Sequence, residues 1–250
     1  MYQFFIEDEN AAEDFVTIEG SDVNHIKNVL RMKPGEKIRV CTRNGQNYFC
    51  SISDITESFV RADILEKEAE STELPCRIYL FQGLPKNDKM EWIIQKTVEL
   101  GVYEVIPVAM KNCVVKLDDK KAKSKVTRWQ AIAESAAKQS KRSLIPEVKM
   151  PMSYKEAVAY AKKLDVKLVP YENEHGMAGT KAAMEQIKKG ESIAVFIGPE
   201  GGFAPEEIAL VQDEMQLISL GKRILRTETV GVSQHIAILG YQLESSDMIE

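Results

Sequence analysis

No apolar stretch in this 250-residue chain approaches the roughly 20 residues that a membrane-spanning helix requires, so no membrane partner is expected. Cysteine is scarce. Cys41, Cys50, Cys76 and Cys113 stand apart, with no C-x-x-C pair and no histidine pair nearby. That spacing argues against a zinc site or a disulfide framework and leaves them as reduced packing residues. No metal is expected. The opening stretch MYQFFIEDENAAEDF is acidic where a secretory signal would be basic, so the expected location is the cytoplasm. There is no internal repeat and no low-complexity segment. The chain is 44% hydrophobic and 28% charged, the balance of a globular protein. Its length suits one large α/β domain or two smaller units, and the pattern favours two.

The net charge of −5 conceals an asymmetry. Residues 1–72 carry 8 basic and 14 acidic side chains, residues 73–150 carry 15 and 9, and residues 151–250 carry 10 and 15. The middle third is therefore where a polyanion would bind. Its basic residues bunch in 116–128 and in Lys138-Gln139-Ser140-Lys141-Arg142. They suit either a phosphate surface or a solvated helix face.

Residues 1–72 show short alternating stretches at 37–41, 47–52 and 59–64, with Pro34-Gly35 and Asn44-Gly45 as turn signals and Asn-Gly favouring a hairpin. One short helix is expected from a Ser21 or Asp22 cap to Leu30. This describes a small β-barrel, closed off by the charged run 66–74 before Pro75. From Arg77 the pattern alternates strand and helix. Strands are expected at 78–81, 105–108, 167–170, 193–197 and 217–220, and helices over 89–100, 125–139, 153–164 and 180–189, from Pro205, and over 228–243. Such alternation predicts a mostly parallel sheet with helices on both faces.

Two glycine-punctuated crossings stand out near the end of the chain. In 193–203, IAVFIGPEGGF, the Gly198–Gly202 turn follows an apolar run and lets backbone approach a ligand at a strand's carboxyl end. No Gly-Lys-Ser/Thr follows it, and the G-x-G-x-x-G order is missing, which excludes a Walker A loop and a dinucleotide fingerprint. In 217–230, LISLGKRILRTETV, apolar residues interleaved with exposed backbone suit an adenine, and Arg226 and Glu228 place two opposite charges at a helix start. Taken alone, the first turn also reads as a mere crossing and the charge pair as a salt bridge.

These two segments closely resemble the signature of the SPOUT class of methyltransferases, specifically the ribosomal RNA small subunit methyltransferase E family, which methylates N3 of a uridine in 16S rRNA. The likeness extends over nearly the whole chain. His25-Ile26-Lys27-Asn28-Val29-Leu30-Arg31 with Pro34-Gly35 resembles that family's PUA-like barrel. Lys86 with Lys89-Met90-Glu91 and 95–102 is similar to its first crossover, and Gln139 with Arg142 to its basic helix. Asn112 stands where arginine is expected, Lys138 where glutamate is expected, and Val230 where a small residue is expected, so no role carries over to Asn112.

The resemblance implies an α/β fold in two domains. Residues 1–72 would form a PUA-like RNA-binding β-barrel, and 73–250 a SPOUT methyltransferase domain with a C-terminal trefoil knot. Knots are rare by general topology rules, so the residue pattern alone gives an ordinary doubly wound sheet. S-adenosylmethionine would bind in a homodimer, against Tyr171 and Glu172, then Ile197, Gly198, Pro199, Glu200, Gly201 and Gly202, then Leu220, Gly221, Ile224 and Leu225. Arg31, Lys86, Gln139 and Arg142 would position the substrate, 16S rRNA in the small ribosomal subunit.

Uridine N3 carries a proton at neutral pH, so an enzyme must remove it or stabilise the resulting anion. Arg226 is the candidate for stabilising charge on the uracil oxygens. Glu228 is either a general base, which needs a raised pKa, or the residue that orients Arg226. His25 and His175 fall outside the loops, and His235, a turn or more into the last helix, is expected to pack at the dimer contact. A paired base hides its N3, so the target must be unpaired or flipped out. Two other readings remain open: a SPOUT enzyme methylating ribose 2′-OH of rRNA or tRNA, and a non-catalytic RNA-binding protein.

Overall fold

The computed structural model describes residues 1–68 and 71–230, which divide into two units: Met1–Glu73 with Ala137–Ile145, and Leu74–Ala136 with the chain from Pro146 onward.

Five strands build the first unit: β1 (Tyr2–Ile6), β2 (Phe15–Glu19), β3 (Lys37–Thr42), β4 (Asn47–Ile55) and β5 (Phe59–Glu68). They lie in the order β1-β3-β4-β5-β2, with β1 parallel to β3 and every other pair antiparallel. The edge strands β1 and β2 approach each other, which curls the sheet toward a barrel. Alternation along the strands turns Phe4, Ile18, Ile38, Val40, Ile52 and Val60 into one core. The Asn44-Gly45 turn joins β3 to β4 as expected, with Gly45 at φ +87. The sequence pattern missed β1 and β2, whose short apolar runs alternate weakly. The expected helix starts differently: Gly20 at φ +70 precedes α1 (Ser21–Asn24) with no side-chain cap, and a π-helical turn, His25–Val29, follows. Arg31, just beyond it, is exposed in a left-handed conformation at φ 53.

The segment Ala137–Ile145, expected in the second domain, belongs to the first unit because its polar groups find partners there. Arg142 is only 3% exposed, and its Nε donates to Glu73 Oε1 and Oε2 at 3.2 and 3.1 Å. The Ser143 N–H donates to Glu73 Oε1 at 2.8 Å, and Gln3 Nε2 donates to the Arg142 carbonyl at 2.6 Å. Lys138 Nζ sits 3.0 Å from both oxygens of Asp22. Arg142 is therefore a buried tie within this unit, which corrects the expectation that it meets RNA. Gln139 is exposed.

The second unit contains β6 (Arg77–Gly83), α2 (Lys89–Glu99), β7 (Glu104–Ala109), most of α3 (Asp119–Ser140), β8 (Glu147–Val148), β9 (Met152–Ser153), α4 (Tyr154–Ala161), β10 (Val166–Pro170), α5 (Ala178–Glu185), β11 (Ser192–Ile197), α6 (Pro205–Ala209), β12 (Gln216–Ile218) and α7 (Thr227–Thr229). Its sheet is wholly parallel, ordered β12-β10-β11-β6-β7-β8, with β9 also paired to β7. Every residue of β11 is buried, as a strand covered on both faces requires. Phe196 on β11 stacks against its register partner Phe81 on β6, with ring centroids 4.4 Å apart. α3 starts at Asp119 rather than near 125, because Asp118 Oδ1 accepts the Lys121 N–H at 2.8 Å in the manner of a cap. Ser153 and Glu156 form the expected capping box of α4.

All four cysteines are buried and unbridged, and burial pushes the thiols of Cys41, Cys50 and Cys76 up to about 12. Among the described residues no helix is long and apolar enough to cross a membrane. Only the start of the expected last helix is described, as α7; the rest, with His235, lies outside the described residues.

Candidate functional site

Three strands that are separated in the chain, β12, β10 and β11, lie side by side and run in one direction. Their carboxyl ends release neighbouring loops after Pro170, Ile197 and Ile218, at the edge where open α/β sheets bind ligands. Between the loops is a cavity of about 590 Å³, within the roughly 300–1,000 Å³ usual for small-molecule sites. Tyr171, Glu172, Ile197, Gly198, Pro199, Glu200, Gly202, Leu220, Gly221, Ile224, Leu225 and Arg226 all line it. Gly201 does not. It faces Asn112, whose Nδ2 donates to the Gly201 and Gly202 carbonyls at 3.0 and 3.2 Å.

Two glycines let the middle loop lie where it does. A Cβ on Gly83, at the end of β6, would stand 2.7 Å from the Pro199 nitrogen, so only glycine admits that crossing. Gly202 adopts φ +66, a left-handed conformation that costs other residues. Asn112 then holds the loop from behind. Asn112→Ala is expected to lower stability by about 1 kcal/mol, the net value of ordinary hydrogen bonds, in a denaturant titration. An unchanged midpoint would show that these bonds contribute nothing.

Lys89, at the first turn of α2, also lines the cavity. Its Nζ lies 3.0 Å from Glu228 Oε2 and 3.1 Å from Glu200 Oε1. The hydrogen bond to Glu228, followed by that to Glu200, holds its pKa above the usual lysine range. Burial pushes the Glu228 carboxyl upward, but its own backbone N–H, Lys89 and Arg226 outweigh this and leave it below the ordinary carboxylate range. Glu200 is lowered in the same way: its own N–H, the Lys86 N–H and Lys89 overcome burial. Glu228 is thus ionised at neutral pH, paired with Lys89, and stands off the cavity wall. It has neither the raised pKa of a base nor a hydrogen bond to Arg226.

Thr227 is buried at the start of α7, where its Oγ1 donates to the Gly198 carbonyl at 2.6 Å and accepts from Gln82 Nε2 at 3.0 Å. Sequence reasoning missed Lys89 and Thr227, because strand order, not spacing, brings β6 beside β11. It also placed His175 outside the loops, yet His175 lines the cavity, since the loop after β10 runs on to the start of α5. Lys86 is exposed beside the cavity, with its backbone N–H on Glu200 Oε1 at 3.0 Å. Arg31 and Gln139 are exposed in the first unit. Among the described residues no group of three His, Cys, Asp or Glu side chains is arranged to hold a metal ion.

The chain matches known proteins along its length. Residues 72–239 match the RNA methyltransferase domain family, and residues 18–65 match the PUA domain of RNA methyltransferases. The ribosomal RNA small subunit methyltransferase E of Bacillus subtilis is 38% identical over 98% of each chain. The crystal structure of the ribosomal RNA small subunit methyltransferase E from Neisseria gonorrhoeae, bound to S-adenosyl methionine, is 30% identical, covers 98% of each chain and superposes with a TM-score of 0.82. A putative methyltransferase from Legionella pneumophila, solved with the cofactor SAM, is 28% identical over 96% of this chain and 97% of that one, at a TM-score of 0.83. With an α/β sheet, a PUA domain and these relatives together, the chain belongs to the RNA methyltransferase family, in the group of the ribosomal RNA small subunit methyltransferase E proteins.

Proposed function

We propose that this protein is a cytoplasmic enzyme that transfers a methyl group from S-adenosylmethionine to N3 of a uridine in 16S rRNA. The observation that carries the reading is the cavity at the ends of β10, β11 and β12, with an exposed arginine, Arg226, on its wall. Its chemistry fits the cofactor: Ile197, Leu220 and Leu225 with loop backbone suit an adenosine, and the carboxylates of Glu172, Glu174 and Glu200 suit a positive charge. The reading includes a SPOUT-type trefoil knot and a homodimer. The order β12-β10-β11, in which the chain leaves β11 and crosses beyond β10 to reach β12, supports a threaded arrangement.

S-adenosylmethionine supplies a methyl group on an electrophilic sulfonium. The loops after β10, β11 and β12 would hold the cofactor beside the base, and positioning of this kind accounts for much of the rate. Arg226 presents a permanently charged, planar fork of donors to the uracil oxygens as N3 loses its proton. Glu228 holds Lys89 rather than that proton, and the proton leaves to solvent. Arg31, Lys86 and Gln139 position the RNA.

This reading predicts a pH profile. Glu228 is ionised throughout the neutral range, so kcat at saturating RNA and cofactor should rise steadily with pH as more of the bound uridine ionises. An inflection near neutrality that disappears in Glu228→Gln would restore Glu228 as the base. The reading as a whole is tested by transfer of labelled methyl to undermethylated 30S subunits and, in parallel, to deproteinised 16S rRNA, with the product mapped by nuclease digestion and mass spectrometry. Label on uridine N3 supports it. Label on a ribose 2′-OH, or no label on either substrate, overturns it.

A further inference from the structure

We infer that Thr227 is a positioning residue whose hydroxyl locks the glycine loop after β11 to the Arg226-bearing loop before α7, so that cofactor wall and charged group form one preorganised unit. The inference rests on the proposed methyl-transfer reading. Thr227 is 6% exposed. Its single hydroxyl proton goes to the Gly198 carbonyl at 2.6 Å, and its lone pair receives Gln82 Nε2 at 3.0 Å. Gln82 is fully buried on β6 and donates its other proton to the Gly83 carbonyl at 3.0 Å.

One side chain therefore joins the ends of two adjacent strands, β6 and β11, to the first residue of α7. Gly198 lies on the cavity wall, and Arg226 is the residue immediately before Thr227. The Thr227 hydroxyl has both its donor and its acceptor matched, and leaving either of those partners unpaired carries the full desolvation penalty. The Gln82 Oε1 has no partner among the described residues, so the amide is oriented through its two donor protons alone. Cofactor affinity and the placement of Arg226 consequently depend on the same hydroxyl.

The test uses the full chain. Thr227→Val keeps the shape and removes the hydroxyl, whereas Thr227→Ser keeps the hydroxyl. Calorimetry with S-adenosylmethionine is expected to show roughly ten- to hundredfold weaker binding in Thr227→Val and near wild-type binding in Thr227→Ser. At saturating cofactor kcat should also fall in Thr227→Val, with KM for the RNA unchanged. A purely structural role would lower the melting temperature and leave both affinity and kcat in place, which would overturn the inference. Should Thr227→Val fail to fold, Thr227→Ser against Thr227→Ala isolates the hydroxyl, and equal affinities in that pair overturn it likewise. If the wild-type chain itself does not bind S-adenosylmethionine, the functional reading fails and the inference falls with it. Wild-type binding matched by Thr227→Val removes the inference alone.

Discussion

Arg226→Ala is expected to lower kcat for methyl transfer by about 100- to 1,000-fold, the usual cost of losing one preorganised group aimed at developing charge, while S-adenosylmethionine affinity stays close to wild type. The two parameters separate because of where the side chain lies. Arg226 is exposed on the cavity wall, and its guanidinium makes no hydrogen bond with any described residue. Its backbone carbonyl, which any residue supplies, accepts the Val230 N–H at 2.9 Å at the start of α7. Truncation therefore removes a charge without breaking a tie that shapes the loops. Arg226→Lys should recover part of the rate, since a point charge replaces the planar fork. Single-turnover measurement at saturating cofactor checks this. An unchanged kcat would move the charge-stabilising role to another cation on the wall, Lys89, Lys222 or Arg223.

Lys89 and Glu228 mark the limit of what the sequence alone makes legible. Local patterns carried the long elements. The run 193–197 is apolar throughout because β11 is buried on both faces, and the Ser153–Glu156 capping box and the Asn44-Gly45 hairpin are decided within a few residues. The loops that form the cavity were also legible, since glycine and apolar residues alternate where a strand gives way to a ligand edge. What could not be read was adjacency. Lys89 meets Glu228 only because β6 lies next to β11, and the sequence placed Glu228 with its neighbour Arg226. Arg142 looked like a phosphate ligand because it sits in a basic run, and only the packed unit shows Glu73 beneath it. Asn112 looked like a departure from the family's pattern, and in the fold it holds the carbonyls of Gly201 and Gly202.

Phe196→Ala carries the largest expected effect on stability, a loss of about 3–5 kcal/mol, the range for deleting a buried aromatic side chain. The ring is fully buried at the centre of the sheet and stacks on Phe81 at 4.4 Å, with Tyr154 of α4 meeting it edge-on at 6.0 Å. Neighbouring strands lie on both sides, so main-chain hydrogen bonds resist collapse into the space left behind, and a cavity persists. Phe196→Leu retains most of the apolar volume and should lose clearly less. Both tryptophans, Trp92 and Trp129, belong to the second unit, so their fluorescence in a urea titration follows that unit's unfolding. A lower midpoint with an unchanged slope is the expected signature of lost stability. The damage should also reach the cofactor, because Phe196 precedes Ile197 and Gly198 in the chain and anchors the strand from which their loop leaves. A Phe196→Ala protein whose midpoint moves no further than that of Phe196→Leu would show that the apolar volume at this position adds nothing, and that β11 is held in register by its neighbours alone.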